Sequence, residues 1–158
     1  MFRRVFLLSV FIASATAFAA EQYGGTPPPK PDVPYLVVAD NVAATEVSEA
    51  SQQSGKKDDI IYVIAGSNSS AKTPLTSPVF VLQSETLNPD KLQVYKLDIR
   101  DGHREIVFSR KKPPKPYTLT VTRYSDNVFK LEVDGSLPPG EYSMTPEGSN
   151  AVFCFAVY

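Results

Sequence analysis

Cysteine is nearly absent from this chain. Cys154 is the only one in 158 residues, so no disulfide can close within the chain even in an oxidising compartment, and stability must come from packing. Its neighbours Phe153 and Phe155 are apolar, whereas a nucleophilic thiolate needs positive or polar company to lower its pKa. Cys154 is therefore expected as an inert core residue. Histidine is as scarce. His103 stands alone, and one His with one buried Cys falls short of the three or four ligands of a zinc site. Asp58 with Asp59, or Asp98 with Asp101, offer oxygen ligands, but neither pair belongs to an alternating carboxylate loop with a closing Glu, the pattern that marks a calcium site. A Ser-His-Asp arrangement built on His103 and nearby Asp101 would need a nucleophile, and no G-x-S-x-G elbow is present. The sequence indicates no catalytic residues, no metal and no cofactor.

Long apolar runs are missing too. The run from Val5 to Ile12 is shorter than the ~20 residues that span a bilayer core, and no other stretch comes closer, so a membrane-spanning protein is not expected. Nor is there an excess of positive charge. Setting aside the first twenty residues removes Arg3 and Arg4 from the 16 basic side chains and leaves 14 against 17 acidic ones, a net charge of about −3. Proteins that bind nucleic acid usually carry a strongly basic face, and that class of partner is set aside.

What is present at the start is an export pattern. Arg3 and Arg4 precede the apolar run, and small residues follow it up to Ala17, Phe18, Ala19 and Ala20, so residues 1–20 read as a signal peptide cleaved after Ala19 or Ala20. No cysteine stands there to accept a lipid. Arg3, Arg4, Val5, Phe6 and Leu7 imitate the twin-arginine pattern, but its flanking Ser/Thr and Lys are lacking, so ordinary export is preferred. A periplasmic or extracellular protein is expected. The remaining 138 residues can bury roughly two-thirds of their unfolded surface, enough for one core.

Residues 21–34 hold Pro27, Pro28, Pro29, Pro31 and Pro34, which lack the backbone donors of strands and helices, and read as a stiff, extended tether. The domain is expected over 35–158. Tyr35 to Ala39, Ile60 to Ile64 and Val79 to Leu82 are short apolar runs of the kind that form strands buried on both faces. Glu46 to Asp59, with hardly an apolar residue, reads as a mobile loop with nothing to give a core.

Two hairpins are better defined. Asp101 and Gly102 suit the left-handed angles of a two-residue type I′ turn. That turn sets Leu97 opposite Ile106 and Tyr95 opposite Phe108 on an apolar face, with Lys96 against Val107 and Asp98 against Glu105 on the other. The Asp98 and Glu105 contact costs a little unless Arg100 or Arg104 neutralises it. A three-residue loop of Ser125, Asp126 and Asn127, with Asn127 left-handed, aligns Val121 with Leu131, Leu119 with Val133, Thr120 with Glu132 and Thr122 with Lys130. Ala151 to Val157 is apolar on both faces and so central. Apart from one helical turn opened by Asn88 and Pro89, no segment holds a helical period. About eight strands make an all-β antiparallel β-sandwich, with a small β-barrel as the alternative.

Leu137, Pro138, Pro139, Gly140, Glu141 and Tyr142 form L-P-P-G-x-Y between two strands, which resembles the corner of immunoglobulin-like and transthyretin-like sandwiches. The resemblance implies that Leu137 fills the core and that the Tyr142 hydroxyl caps a nearby backbone group.

Two segments could contact a partner. Gly66 to Ser70 is a polar loop, with Asn68, Ser69 and Ser70 matching the N-x-S sequon, and is expected as a plain surface turn. Arg110, Lys111, Lys112 and Lys115 stand among Pro113, Pro114 and Pro116 in a rigid basic loop. It could dock an acidic envelope protein or an anionic glycan without extra ordering cost, or serve only as a solvated connector that keeps edges from pairing. These features favour a non-enzymatic exported binding or envelope-interaction module. Two alternatives stay open: a small exported hydrolase or lyase acting on polysaccharide or cell-wall material through Asp98, Asp101 and Glu105, and a structural subunit whose edge strands pair with copies of itself.

Overall fold

Alternation of apolar and polar side chains turns most of this chain into strands. The structure, a computed structural model, describes residue 25 and residues 27–158; the expected signal peptide and the first part of the proline-rich segment lie outside the described residues. Thirteen strands occur among them. The first seven are β1 (Tyr35–Val38), β2 (Asn41–Ala44), β3 (Glu46–Glu49), β4 (Ser51–Ser54), β5 (Ile60–Ile64), β6 (Lys72–Thr73) and β7 (Val79–Gln83). The rest are β8 (Leu92–Arg100), β9 (His103–Phe108), β10 (Leu119–Arg123), β11 (Val128–Val133), β12 (Gly140–Pro146) and β13 (Ala151–Val157). The one helical turn expected at Asn88 is present at Pro89–Lys91, with the Asn88 side chain accepting from the Asp90 N–H at 3.0 Å.

Two antiparallel sheets pack together, so the fold is the expected all-β sandwich, with one sheet curled into a half-barrel. The flatter sheet runs β10-β11-β7-β1-β2, and the curled one β3-β13-β12-β8-β9-β5-β4, with β6 adding a short parallel pairing to β13. The outermost strands of the curled sheet, β3 and β4, are successive pieces of one segment separated only by Ala50, whose N–H donates to the Asn150 carbonyl at 2.8 Å. One continuous piece of chain therefore pairs with β13 through β3 and with β5 through β4, which draws the two ends of the sheet towards each other.

Glu46 to Asp59 is thus not a mobile loop. Its polar residues form β3 and β4, because edge pairing needs only backbone groups and leaves polar side chains in solvent: Val47 lies opposite Phe153 and Gln52 opposite Tyr62. Strands β2 and β6 were equally hidden by short, small or polar sequence. Ile60 to Ile64 is not buried on both faces either, since only Ile64 is fully enclosed and Ile60 is exposed.

The second hairpin keeps its expected register, and the first keeps it from the turn as far as Asp98 and Glu105. Asp101 and Gly102 take φ of 48° and 81°, and Asp98 lies opposite Glu105. In the second, Val121 faces Leu131 and Leu119 faces Val133. Asn127, however, stays out of the left-handed region, which among non-glycine described residues is confined to Asp32, Ala39, Lys57, Asp58 and Asp101; the loop instead closes with the Tyr124 and Ser125 N–H groups both donating to the Val128 carbonyl. The L-P-P-G-x-Y corner is present as expected. Leu137 is fully buried, and the Tyr142 hydroxyl donates to the Pro138 carbonyl at 2.5 Å while its ring stacks on Phe155. Burial together with the neighbouring Tyr117 pushes the Tyr142 hydroxyl up to about 12.

The first part of β8, together with β12 and β13, is buried on both faces, each face serving a different core. Val94, Tyr142, Met144, Phe153 and Phe155 point to the flatter sheet and join Leu36, Phe80 and Leu131. One residue along, Tyr95, Leu97, Val152 and Cys154 point into the half-barrel and join Ala50, Ile64 and Ile106. This two-sided burial accounts for the continuous apolar run of the last strand.

Part of the proline-rich segment is tied in rather than free. The Asp32 N–H donates to the Gln83 carbonyl, and its carboxylate accepts from the Thr86 hydroxyl at 2.6 Å and from the backbone N–H groups of Glu85, Thr86 and Leu87. Burial works against the charge, but the Thr86 hydroxyl and the three N–H groups outweigh it and hold the Asp32 carboxyl down at about 2, below its ordinary 3.8. A carboxyl held low in the folded state stabilises folding above its ordinary pKa and loses that contribution as pH falls. Asp32→Asn is expected to lower stability at pH 7, and its deficit relative to the native chain to shrink between about pH 5 and pH 2, as read from urea denaturation across that range.

Candidate functional site

The site follows from alternation along β9. His103 and Glu105 point outward, whereas Arg104, Ile106 and Phe108 turn into the half-barrel, and this places a permanent positive charge in an interior. Arg104 is completely buried. Each of its donor groups is used: Nε donates to the Gly66 carbonyl at 3.0 Å, Nη1 to the Ser69 hydroxyl at 2.8 Å and to Glu46 at 3.4 Å, and Nη2 to the Ala65 carbonyl at 2.7 Å and to Glu46 at 2.5 Å. Glu141 stands 3.8 Å away and accepts from both the N–H and the hydroxyl of Ser69. Burial opposes the Arg104 charge, but hydrogen bonding to Glu46 and the nearby negative charges more than offset it and raise its pKa. Cys154 lies in the same interior; burial pushes its thiol up to about 12, which leaves it the inert core residue expected.

This network corrects the expectation for Gly66 to Ser70. The segment is no plain surface turn, because Arg104 and Glu141 need oxygen and N–H partners that no paired strand could spare, and Ser69 supplies them from a fully buried position. Asn68, one residue before it, stays exposed.

Beyond the network the half-barrel is incompletely filled. Pairing between β8 and β9 stops at Asp98 and Glu105, and the first half of β8 is met instead by Tyr117, whose N–H donates to the Val94 carbonyl at 2.8 Å. The expected Leu97–Ile106 and Tyr95–Phe108 cross-strand pairs are therefore not in the ladder, although all four side chains share the predicted face. Where the strands part, a cavity of about 390 Å³ opens. Ala50, Ile64, Ile106 and Val152 line it along with the rings of Tyr62, Tyr95 and Phe108, and Phe108 meets each tyrosine edge-on at a ring separation of 5.5 Å. Gln52, Gln93, Ser143, Thr145 and Asn150 contribute polar groups, and the Tyr95 hydroxyl donates to Gln93 at 2.9 Å.

The mouth has two unlike sides. On one, Glu147 lines the cavity, pairs with Lys91 at 3.2 Å and, after burial, is the second cause of the raised pKa of Tyr95. On the other, Ile60 lies opposite Phe108, and the chain on either side of that pair carries Lys56 and Lys57 before it and Arg110, Lys111 and Lys112 after it, all exposed. Lys57 and Asp58 both take left-handed φ there, at 58° and 64°, a conformation that costs about 1–2 kcal/mol per non-glycine residue.

The residues singled out from the sequence fall around this site unevenly. Arg110, Lys111, Lys112 and Lys115 are exposed, with Arg110 3.6 Å from Asp58. Of the carboxylates, Asp98 and Asp101 are exposed, whereas Glu105 is buried on the outer face between Arg100 Nε and His103 Nε2, each at 3.2 Å. Arg100 thus neutralises the Asp98–Glu105 contact as expected, while Arg104 turns the other way. None of these three acids lines the cavity. Sequence reasoning missed Arg104, Glu46, Glu141 and Ser69, and also the role of Tyr62. The signal for Arg104 was present, since it occupies an inward position of an otherwise apolar alternating strand.

Compared with protein-family models, with curated proteins and with solved structures, the chain finds no match. What the site can do must come from its own chemistry. Among the described residues, no group of three or more His, Cys, Asp and Glu is placed to hold a metal ion.

Removing one partner of a buried ion network leaves the others charged and unpaired. Arg104→Ala is expected to cost ~3–5 kcal/mol in urea denaturation, and adding Glu141→Gln to recover part of that loss.

Proposed function

We propose that this chain is an exported, non-enzymatic binding module that takes a small, largely apolar ligand into the open end of its half-barrel. One observation carries this: a cavity of about 390 Å³ with aromatic and aliphatic walls and a few converging polar groups. Small-molecule sites have this make-up and run from roughly 300 to 1,000 Å³. Among the described residues lining the cavity, Glu147 is the single carboxylate and no histidine, lysine or cysteine is present. Binding therefore suits the lining better than the acid–base pairs of a glycosidase or lyase. Export is the part of the proposal that rests on residues 1–20.

An acidic envelope protein or anionic glycan docked on Arg110, Lys111, Lys112 and Lys115 is a second proposal, supported by the exposure of all four side chains. Retention on immobilised heparin, lost on changing Lys111, Lys112 and Lys115 to Glu, would support it.

The first proposal is tested with N-phenyl-1-naphthylamine, a neutral probe that brightens in apolar surroundings. Gln52 lines the cavity from the exposed edge strand β4, so Gln52→Trp blocks the mouth without disturbing a core. Saturable brightening by the native chain, reduced at least tenfold in affinity by Gln52→Trp, is expected; the proposal fails if the native chain gives no saturable signal or if Gln52→Trp leaves it unchanged.

A further inference from the structure

The charges around the mouth are not distributed at random with respect to the cavity. The turn joining β4 to β5 and the segment leaving β9 both spring from the Ile60–Phe108 pair, whose side chains line the cavity. The Arg110–Asp58 contact at 3.6 Å holds these two segments beside each other. Together they carry Lys56, Lys57, Arg110, Lys111 and Lys112 against Asp58 and Asp59 alone. Across the mouth stands Glu147, already engaged by Lys91. None of these basic side chains lines the cavity itself, but they leave the chain within a few residues of Ile60 and Phe108 at the β5–β9 side, whereas Glu147 at the β12–β13 side does line it; charges beside a low-dielectric apolar wall bias the potential within it.

Resting on the proposal that the cavity binds a small apolar ligand, we infer that its ligand is a single-chain anionic amphiphile of the fatty-carboxylate class. The apolar chain lies against Tyr62, Tyr95 and Phe108, and the carboxylate rests on the Lys56, Lys57 and Arg110 to Lys112 rim. Three features set this class. The walls reward an apolar body, because each methylene moved from water against them adds to the favourable transfer. The volume of about 390 Å³ stands near the lower end of small-molecule sites and suits one chain rather than two. The basic segments beside Ile60 and Phe108 reward a negative end, whereas the opposite side offers it only a carboxylate already paired with Lys91. A carboxylate at an exposed rim also keeps most of its hydration, so it is not charged the cost of a buried ion.

Displacement of N-phenyl-1-naphthylamine by dodecanoate, by its neutral methyl ester and by dodecyltrimethylammonium, all below their aggregation concentrations, tests the inference. At low salt dodecanoate is expected to displace the probe at about a tenfold lower concentration than the ester, with the cation weakest. The advantage should shrink in ~1 M salt, where the screening length falls to about 3 Å. Changing Lys56, Lys57, Arg110 and Lys111 to Glu should bring the acid-to-ester ratio to one or below. Equal potency of acid and ester, or a preference that survives the charge reversal, overturns the inference while leaving the cavity proposal standing. If the probe does not bind in the cavity at all, both fall. Co-sedimentation with phosphatidylglycerol vesicles and no displacement by monomeric dodecanoate would assign the basic rim to a membrane surface and also overturn it.

Discussion

A guanidinium charge inside a β-structure has to be met from every side, and in this protein that requirement organises the curled sheet. Arg104 draws on β3 through Glu46, on β12 through Glu141 by way of Ser69, and on the loop after β5 through the carbonyls of Ala65 and Gly66. These pieces are far apart in sequence, and none is in the hydrogen-bonded ladder of β9 beside Arg104 except through β5. An interior ion network contributes little net stability compared with a well-packed apolar core, yet it is costly to break, so it constrains which arrangement of strands is tolerated. Here the tolerated arrangement is the one in which β3 reaches across to close one side of the sheet.

Closure at one end goes with incomplete filling at the other. The inner faces of β8, β9 and β13 change along their length from the polar company of Arg104 to Ile106, Val152 and then Tyr95 and Phe108. The flatter sheet packs against the outer face of the same strands and supplies the larger core, with Phe80, Leu131, Tyr142 and Phe155 fully buried. Stability can therefore reside mainly between the sheets, which leaves the half-barrel interior free to keep a cavity. Sites of this kind, in the mouths of barrels, are a common place for ligands because rigid strands hold their walls.

Much of the fold was legible in the residues. The Asp101–Gly102 turn, the three-residue loop at Ser125 and the L-P-P-G-x-Y corner are local devices whose geometry depends on neighbours in sequence; the turn and the corner take the geometry expected of them, and the loop sets the expected register without a left-handed Asn127. Their side-chain faces were correct even at Leu97 and Ile106, where the ladder itself had already parted. The candidate site was much less legible. Glu46 and Gln52 sit in a stretch whose polarity signals a loop, because an edge strand pairs through its backbone and gives no hydrophobic pattern. Ser69 is buried, and the carbonyl of exposed Gly66 is engaged, because Arg104, 35 and 38 residues away, requires them. Arg104 itself occupies an inward register position, but the hairpin shows only its own acids, Asp98, Asp101 and Glu105, as neighbours, whereas the partners of Arg104 come from β3 and β12. Long-range charge pairing leaves no trace in a local pattern.

If the Arg104 network is what holds β3 in place and closes the half-barrel, its removal should loosen one part of the molecule and spare the rest. Amide hydrogen exchange of the native chain and of Arg104→Met measures this strand by strand. The account predicts that amides of β3 and of Ala50 exchange faster in the variant, while those of β7 and β11 in the flatter sheet keep their protection. Unchanged exchange in β3, or an equal loss of protection in both sheets, would contradict it.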